Sequence, residues 1–288
     1  FFTGVPDSLL KHFCLCIDDN IPKERHIIAA NEGNALSIGI GYYLANNKIP
    51  LIYMQNSGLG NIINPLLSLA DPDVFSIPMI LLIGWRGEPG IEDEPQHIKQ
   101  GRVTIDLLNT MKIPYEVLSS KTTSEEADQI VKKMVKQAST SNTPCALLVK
   151  KGTFKSYKLK LDKYYDRDLY REEVIEIIIN ELNADDIVIS TTGVASRELF
   201  EYRQKKSQSH EKDFLAVGGM GHASQIALGI SLFKKNRTVF CIDGDGALIM
   251  HMGALAVNAN NAGANFKHIV INDINLYMFQ NNIGTRCL

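Results

Sequence analysis

The chain has 288 residues, 45% apolar and 22% charged, with a formal net charge of −2. That length allows two ordinary α/β domains, and the balance excludes a disordered chain and nucleic-acid binding through bulk electrostatics. The longest apolar runs, such as 78–84, are strand-length, so no membrane span is expected, and no charged-then-apolar leader is visible.

From the N-terminus, Cys14 and Cys16 lie two apart on an expected helix and so face different ways. With Cys145, Cys241 and Cys287 they form no C-x-x-C pair, and they read as reduced thiols of a cytoplasmic protein. The run Ala29-Ala30-Asn31-Glu32-Gly33-Asn34-Ala35 enters a small-residue helix that continues past Gly39 and Gly41. A buried strand is expected over 50–54, a helix over 60–70, a strand over 77–84, a helix over 124–139 and a strand over 144–150. Between 84 and 101 the chain spends glycines, prolines and charges on an expected loop, where binding residues concentrate. Residues 151–171 are rich in Lys, Tyr and Asp without a clean period, which reads as a linker.

The second half repeats the rhythm. A helix is expected over 172–182, with Val174, Ile175, Ile178 and Ile179 as its apolar positions, and a strand over 187–191. A helix over 223–233 and strands over 239–242 and 268–271 follow. The expected fold class is α/β, with two parallel-sheet, three-layer domains at 1–155 and 172–288 joined by a linker over 156–171, the second domain C-terminally incomplete.

Ile242-Asp243-Gly244-Asp245-Gly246-Ala247 places a carboxylate on a glycine turn at a strand end, and Asn272 and Asp273 stand at the end of the next strand. Oxygen ligands of this kind suit Mg²⁺ shared with a phosphate. The glycines admit a diphosphate close to the backbone, and a helix N-terminus favours its charge. Alone, G-D-G also describes many surface turns; the second strand end makes it specific. Glu32 alone would be a surface partner of a helix dipole. Gly218-Gly219-Met220-Gly221-His222 alone would be a glycine turn with a core methionine, and the 84–101 stretch a solvated charged loop.

Together these stretches resemble the thiamine-diphosphate-dependent decarboxylases, and within them the phosphonopyruvate/sulfopyruvate branch. The likeness is carried by FFTGVPDSLL at 1–10, MQNSGLGN at 54–61, GWRGEPG at 84–90, DEPQH at 93–97, TTGVASREL at 191–199, GGMGHASQIALGI at 218–230 and the G-D-G turn. It implies thiamine diphosphate and Mg²⁺ as cofactors, and a 2-keto acid bearing a phosphonate as substrate. The implied reaction yields phosphonoacetaldehyde and CO₂; a sulfonate substrate and a non-catalytic homologue are the alternatives.

The resemblance implies Glu32 as the carboxylate that activates the cofactor through its pyrimidine ring. Met220 would be an apolar wedge beneath the cofactor, and Gly218 and Gly219 would offer carbonyls to its amino group. Thr192, Gly193, Gly244, Gly246 and Ala247 would surround the diphosphate, with Asp245, Asn272 and Asp273 on the metal. Gln55, Asn56 and Ser57 would close the cofactor site. Arg86, Lys99 and Arg102 would grip the phosphonate, His97 would shuttle a proton, and Asp7 and Ser8 would line the pocket. A homodimer or higher homo-oligomer is also implied, with Glu32 of one subunit facing Asp245 and Met220 of another. Neither nucleic acid nor membrane is an expected partner.

After Asn272 the likeness stops. Asp273 stands where the pattern has a second Asn, and Ile274 replaces a glycine. Two readings stay open: a fragment or frame error near the end, or a shortened protein with a damaged cofactor site. The first is favoured, because the preceding positions keep the expected chemistry.

Overall fold

The computed structural model describes residues 1–160 and 169–272, and the backbone of 286–287. The chain divides into two compact units, Phe1–Lys163 and Tyr164–Leu288.

The first unit runs β1 (Phe2–Gly4), α1 (Lys11–Asn20), β2 (His26–Ile28), α2 (Glu32–Asn46), β3 (Leu51–Gln55), α3 (Leu59–Pro65), β4 (Met79–Gly84), α4 (Pro95–Thr110), β5 (Tyr115–Leu118), α5 (Ser124–Ser141) and β6 (Pro144–Val149). Its strands form one parallel sheet in the order β2-β1-β3-β4-β6-β5. Every residue of β4 and β6 is buried, as strands covered on both faces require. Successive side chains go to opposite faces: Met54 and Ile83 pack with Leu36, Ile62 and Leu108, while Tyr53 and Leu82 pack with Leu10 and Met134.

Caps set the helix starts. The Asn31 side chain accepts from Asn34 N at 2.9 Å before α2, and Thr123 and Glu126 form a capping box before α5. The helix expected over 60–70 is interrupted: α3 ends at Pro65 and a wide π turn, Leu66–Ala70, follows. Pro65 has no N–H to continue the regular ladder. The loop expected to run to Gly101 is also corrected, since the chain is helical from Pro95. A proline in the first turn gives up only a hydrogen bond that no helix makes there.

The second unit runs α6 (Arg171–Glu181), β7 (Ile187–Ser190), α7 (Val194–Lys205), β8 (Asp213–Leu215), α8 (Ala223–Phe233), β9 (Val239–Gly244), α9 (Asp245–Met250), α10 (Ala254–Asn261), β10 (Phe266–Asn272) and β11 (Arg286–Cys287). The sheet order is β11-β10-β9-β7-β8, parallel except for the β10–β11 pair. Val174, Ile175 and Leu199 cover one face over Val188 and Ile242; Ala223 and Ala227 cover the other over Ile189 and Cys241.

Each sheet has a point near its first strand where the strand order reverses. From β1 the chain moves to β2 on one side and later to β3 on the other; from β7 it moves to β8 and later to β9. Crevices open at such switch points, outside the carboxyl ends of the strands. Among the described residues, no helix is long and apolar enough to cross a membrane.

Candidate functional site

At the first switch point, β1 leads into the turn carrying Asp7 and Ser8, and β3 leads into Gln55, Asn56 and Ser57. Asp7 Oδ1 accepts from Gln55 Nε2 at 2.7 Å, and its Oδ2 accepts from Leu9 N at 2.6 Å. Ser57 Oγ donates to Gln55 Oε1 at 2.7 Å, extending the chain of contacts. Asp7 is fully buried, and burial pushes its carboxyl above the ordinary range against the pull of these hydrogen bonds.

Glu32 opens α2 yet is only 5% exposed, so it is not the surface dipole partner that its isolated context suggests. Asn61 Nδ2 donates to its Oε2 at 2.6 Å. The other oxygen passes over Gly58, where an added Cβ would lie 2.5 Å from Oε1. The helix N-terminus favours the carboxylate's charge there.

Arg86 follows β4 and reaches the same crevice, its Nη1 donating to Ser8 Oγ at 2.7 Å. The rest of its fork is taken by Asp93, through Nε at 2.8 Å and a second contact from Nη2. Arg86 therefore holds the Asp93 carboxyl well below the usual carboxylate range, and Asp93 raises the guanidinium in return. Asp93 also accepts from Gly87 N and Glu94 N, each at 2.8 Å, which folds the 87–94 segment around it. Buried Asn56 clamps the start of this segment: its Oδ1 accepts from Arg86 N at 3.1 Å, and its Nδ2 donates to Arg86 O and Thr104 Oγ1, both at 2.9 Å. Trp85 donates to Gly101 O at 2.9 Å, and Lys150 lies over its ring while pairing with Glu88. Gly87, at φ +66, packs so close to α4 that a Cβ would sit 1.9 Å from His97 O.

At the second switch point, β7 leads through Thr191 and Thr192 to Gly193, which precedes α7 at φ +100. Thr191 Oγ1 is buried and, among the described residues, without a hydrogen-bond partner. β9 ends in the Gly244-Asp245 turn, and Asp245 opens α9 with its Oδ1 accepting from Gly246 N at 2.7 Å. Gly244 lies opposite Ile271 in the ladder, which brings Asn272 beside Asp245 at the shared strand end. The Gly218–His222 turn packs on α9, since a Cβ at Gly221 would sit 2.9 Å from Ala247 O. Met220 in that turn is half-buried. A carboxylate and an amide at adjoining strand ends form a hard-oxygen donor set, and the glycine turns and the orphaned hydroxyl suit a phosphorylated ligand.

The structure thus gathers Asp7, Ser8, Asn56, Ser57 and Arg86 at one switch point, with Glu32 at the head of α2. It gathers Thr192, Gly193, Gly218, Gly219, Met220, Gly244, Asp245, Gly246, Ala247 and Asn272 around the other. Lys99 and Arg102 are not brought to Arg86: both are exposed on α4, off the Gly101, Thr104 and Leu108 stripe that packs inward. His97 is half-buried, and burial with the nearby Arg86 charge lowers its imidazole, favouring the neutral form. Asp273 lies outside the described residues. Sequence reasoning missed Asp93, Thr104 and Asn61. Asp93 follows Arg86 within one short segment of opposite charge, which was the available signal; Thr104 and Asn61 carried none.

Residues 1–108 match the thiamine pyrophosphate enzyme, N-terminal TPP binding domain, and residues 191–285 match the thiamine pyrophosphate enzyme, C-terminal TPP binding domain. The chain is 31% identical to a phosphonopyruvate decarboxylase of Streptomyces viridochromogenes, over 94% of this chain and 69% of that protein. It is also 31% identical to a phosphonopyruvate decarboxylase of Streptomyces hygroscopicus, over 86% of this chain and 63% of that one. A sulfopyruvate decarboxylase of Methanosarcina acetivorans is 29% identical, over 93% of this chain and 70% of its own length. The chain spans about two thirds of the length of these curated relatives.

Proposed function

Because the chain belongs to the thiamine-diphosphate-dependent decarboxylases, in their phosphonopyruvate/sulfopyruvate branch, we propose that it converts 3-phosphonopyruvate to phosphonoacetaldehyde and CO₂. The observation that carries this reading is Arg86, a cation held at the strand ends beside Ser8 and Asp7. A 2-keto acid with an anionic far end needs such a donor, and the guanidinium offers it at a fixed angle because Asp93 immobilises the rest of the fork. Ser8 adds a hydroxyl at the same point. Lys99 and Arg102 remain candidates for steering the anion from the α4 surface rather than for gripping it.

Thiamine diphosphate, when bound, supplies the nucleophilic carbon and the electron sink for the departing CO₂. Glu32 is the residue expected to hold a proton against the pyrimidine ring. Asn61 fixes one of its oxygens and the missing side chain at Gly58 leaves room for the other. Met220 would support the cofactor, with Gly218 and Gly219 offering carbonyls. Amides of Gly193, Gly244, Gly246 and Ala247 and the Thr192 hydroxyl would hold the diphosphate. Asp245 and Asn272 are the expected Mg²⁺ ligands, with Asp273 as a further candidate. Ser57 closes the cofactor side of the crevice, and Asn56 acts by positioning Arg86. His97 is the candidate to move a proton at the product carbon, its lowered imidazole making the protonated form the readier donor.

Sulfopyruvate is the second reading, since relatives acting on it are nearly as similar. Supplying each acid with thiamine diphosphate and Mg²⁺ and identifying the aldehyde separates the two. Release of phosphonoacetaldehyde supports the first reading, and turnover of sulfopyruvate alone overturns it. Calorimetry showing no thiamine diphosphate binding in the presence of Mg²⁺ would favour a non-catalytic homologue. The working form is expected to be at least a homodimer, and an active monomer in sedimentation would overturn that.

A further inference from the structure

Cys241, Asp243 and His268 form a cluster of metal-ligating side chains that the proposed reaction does not use. β9 and β10 run parallel with Cys241 opposite His268 and Asp243 opposite Val270. Side chains alternate along a strand, so positions 241 and 243 share a face of the sheet, and 268 shares it with 241 across the ladder. A thiol, a carboxylate and an imidazole therefore project together. Their donor atoms all lie within 4.8 Å of one another, with His268 Nε2 at 3.3 Å from Asp243 Oδ2.

The surroundings are apolar. Cys241 is fully buried in a cluster with Ile189, Ala223, Ala227 and Val239, and Asp243 is 1% exposed. A carboxylate so placed needs compensating positive charge. One of its oxygens takes the Gly244 N–H at 3.0 Å, and the other faces His268. Among the described residues, no lysine or arginine pairs with it. Donors about a four-coordinate zinc, at about 2.0–2.3 Å from the ion, sit roughly 3.3–3.8 Å apart. Side-chain adjustments on the order of 1 Å would close the cluster onto such an ion.

We propose that Cys241, Asp243 and His268 bind a borderline transition-metal dication of the Zn²⁺ class, at a site separate from the hard-oxygen pair Asp245 and Asn272. Sulfur and nitrogen donors select such an ion over Mg²⁺, which keeps oxygen ligands. Cys241 binds as the thiolate and its proton passes to solvent. His268 retains 11% side-chain exposure and marks the route of entry. The ion ties β9 to β10 just before Asp245 and Asn272 leave the two strands, so it fixes the spacing from which those residues project.

The test uses the untagged full chain, stripped of metal and titrated with Co²⁺ in the absence and presence of excess Mg²⁺. The expected result is a thiolate-to-cobalt charge-transfer band that saturates at one ion per chain, survives Mg²⁺ and is displaced by Zn²⁺. The band is lost in Cys241→Ser, and Co²⁺ affinity falls at least about tenfold in His268→Gln. Circular dichroism confirms that both variants fold. Should Cys241→Ser not fold, His268→Gln, whose side chain reaches the surface, decides the question: unchanged affinity there overturns the proposal. Absence of the band in the wild type, its persistence in folded Cys241→Ser, or its removal by Mg²⁺ also overturns it.

Discussion

The two switch points are held in opposite ways. The first is a web of side chains in two sets: Asp7, Gln55 and Ser57 bond to one another, and Ser8, Asn56 and Asp93 bond to Arg86. The second is built largely of backbone and glycine turns, with a buried hydroxyl at Thr191 that has no partner among the described residues. A web of mutually satisfied groups fixes positions and lets few of them move. Unsatisfied donors and open turns await a ligand that satisfies them. The first arrangement suits orienting reacting groups, the second suits gripping a cofactor's diphosphate and cation.

That contrast can be broken at either end. Glu32→Gln keeps the shape but loses the carboxylate proposed to hold the proton, and kcat is expected to fall about 10²–10⁴-fold while thiamine diphosphate affinity by calorimetry stays nearly unchanged. Asp245→Asn should do the reverse, with Mg²⁺-dependent cofactor affinity falling about 10–100-fold before any effect at saturating cofactor is seen. If Glu32→Gln weakened cofactor binding and Asp245→Asn did not, the division between an orienting half and a gripping half would be wrong.

Gly58→Ala probes the orienting half at Glu32 with one methyl group. The added carbon must displace Glu32 Oε1 or the backbone, and a loss of about 1–3 kcal/mol in denaturant unfolding is expected, together with a lower kcat. Unchanged unfolding and unchanged turnover would show that Glu32 does not need its observed position.

The smallest effect belongs to Asp93. Its carboxyl is depressed below its ordinary value of 3.8 by Arg86, so it binds protons more weakly folded than unfolded. The stability it contributes is present above that ordinary value and is lost as pH falls toward the folded value. Asp93→Asn should therefore be less stable than wild type at neutral pH, by about 1 kcal/mol for a pair that keeps some solvent contact, with the gap closing under acid. Asp7 acts with the opposite sign: burial raises its folded value, so the charged form costs stability at neutral pH and the cost is relieved as pH falls through the raised value. Denaturation midpoints of wild type, Asp93→Asn and Asp7→Asn across acidic pH separate the two; parallel curves would mean that neither carboxylate senses the web as described.

The strands with uniformly apolar runs were legible from sequence, because burial on both faces leaves nothing else for 79–84, 144–149 or 239–242 to be. Short strands such as β2 and β8 were not, since three residues carry no period and their place is set by the neighbour that pairs with them. α4 was hidden by the glycines and charges of the 84–101 stretch, although Pro95 could have marked its first turn. Within the candidate site, motif residues were readable one by one. Their partners were harder: Asp93 beside Arg86 had only its opposite charge in the same segment, while Asn61 of α3 meets Glu32 and Thr104 of α4 meets Asn56 through contacts that the fold alone decides.

Trp85 is the chain's single tryptophan, and it sits buried at the root of the segment that ends on Asp93. Its indole donates to Gly101 O and lies under the Lys150 ammonium. The molecule thus carries its own optical gauge: emission from one indole, read without any label, reports whether the segment bearing Arg86 stays braced while an anionic acid is titrated in.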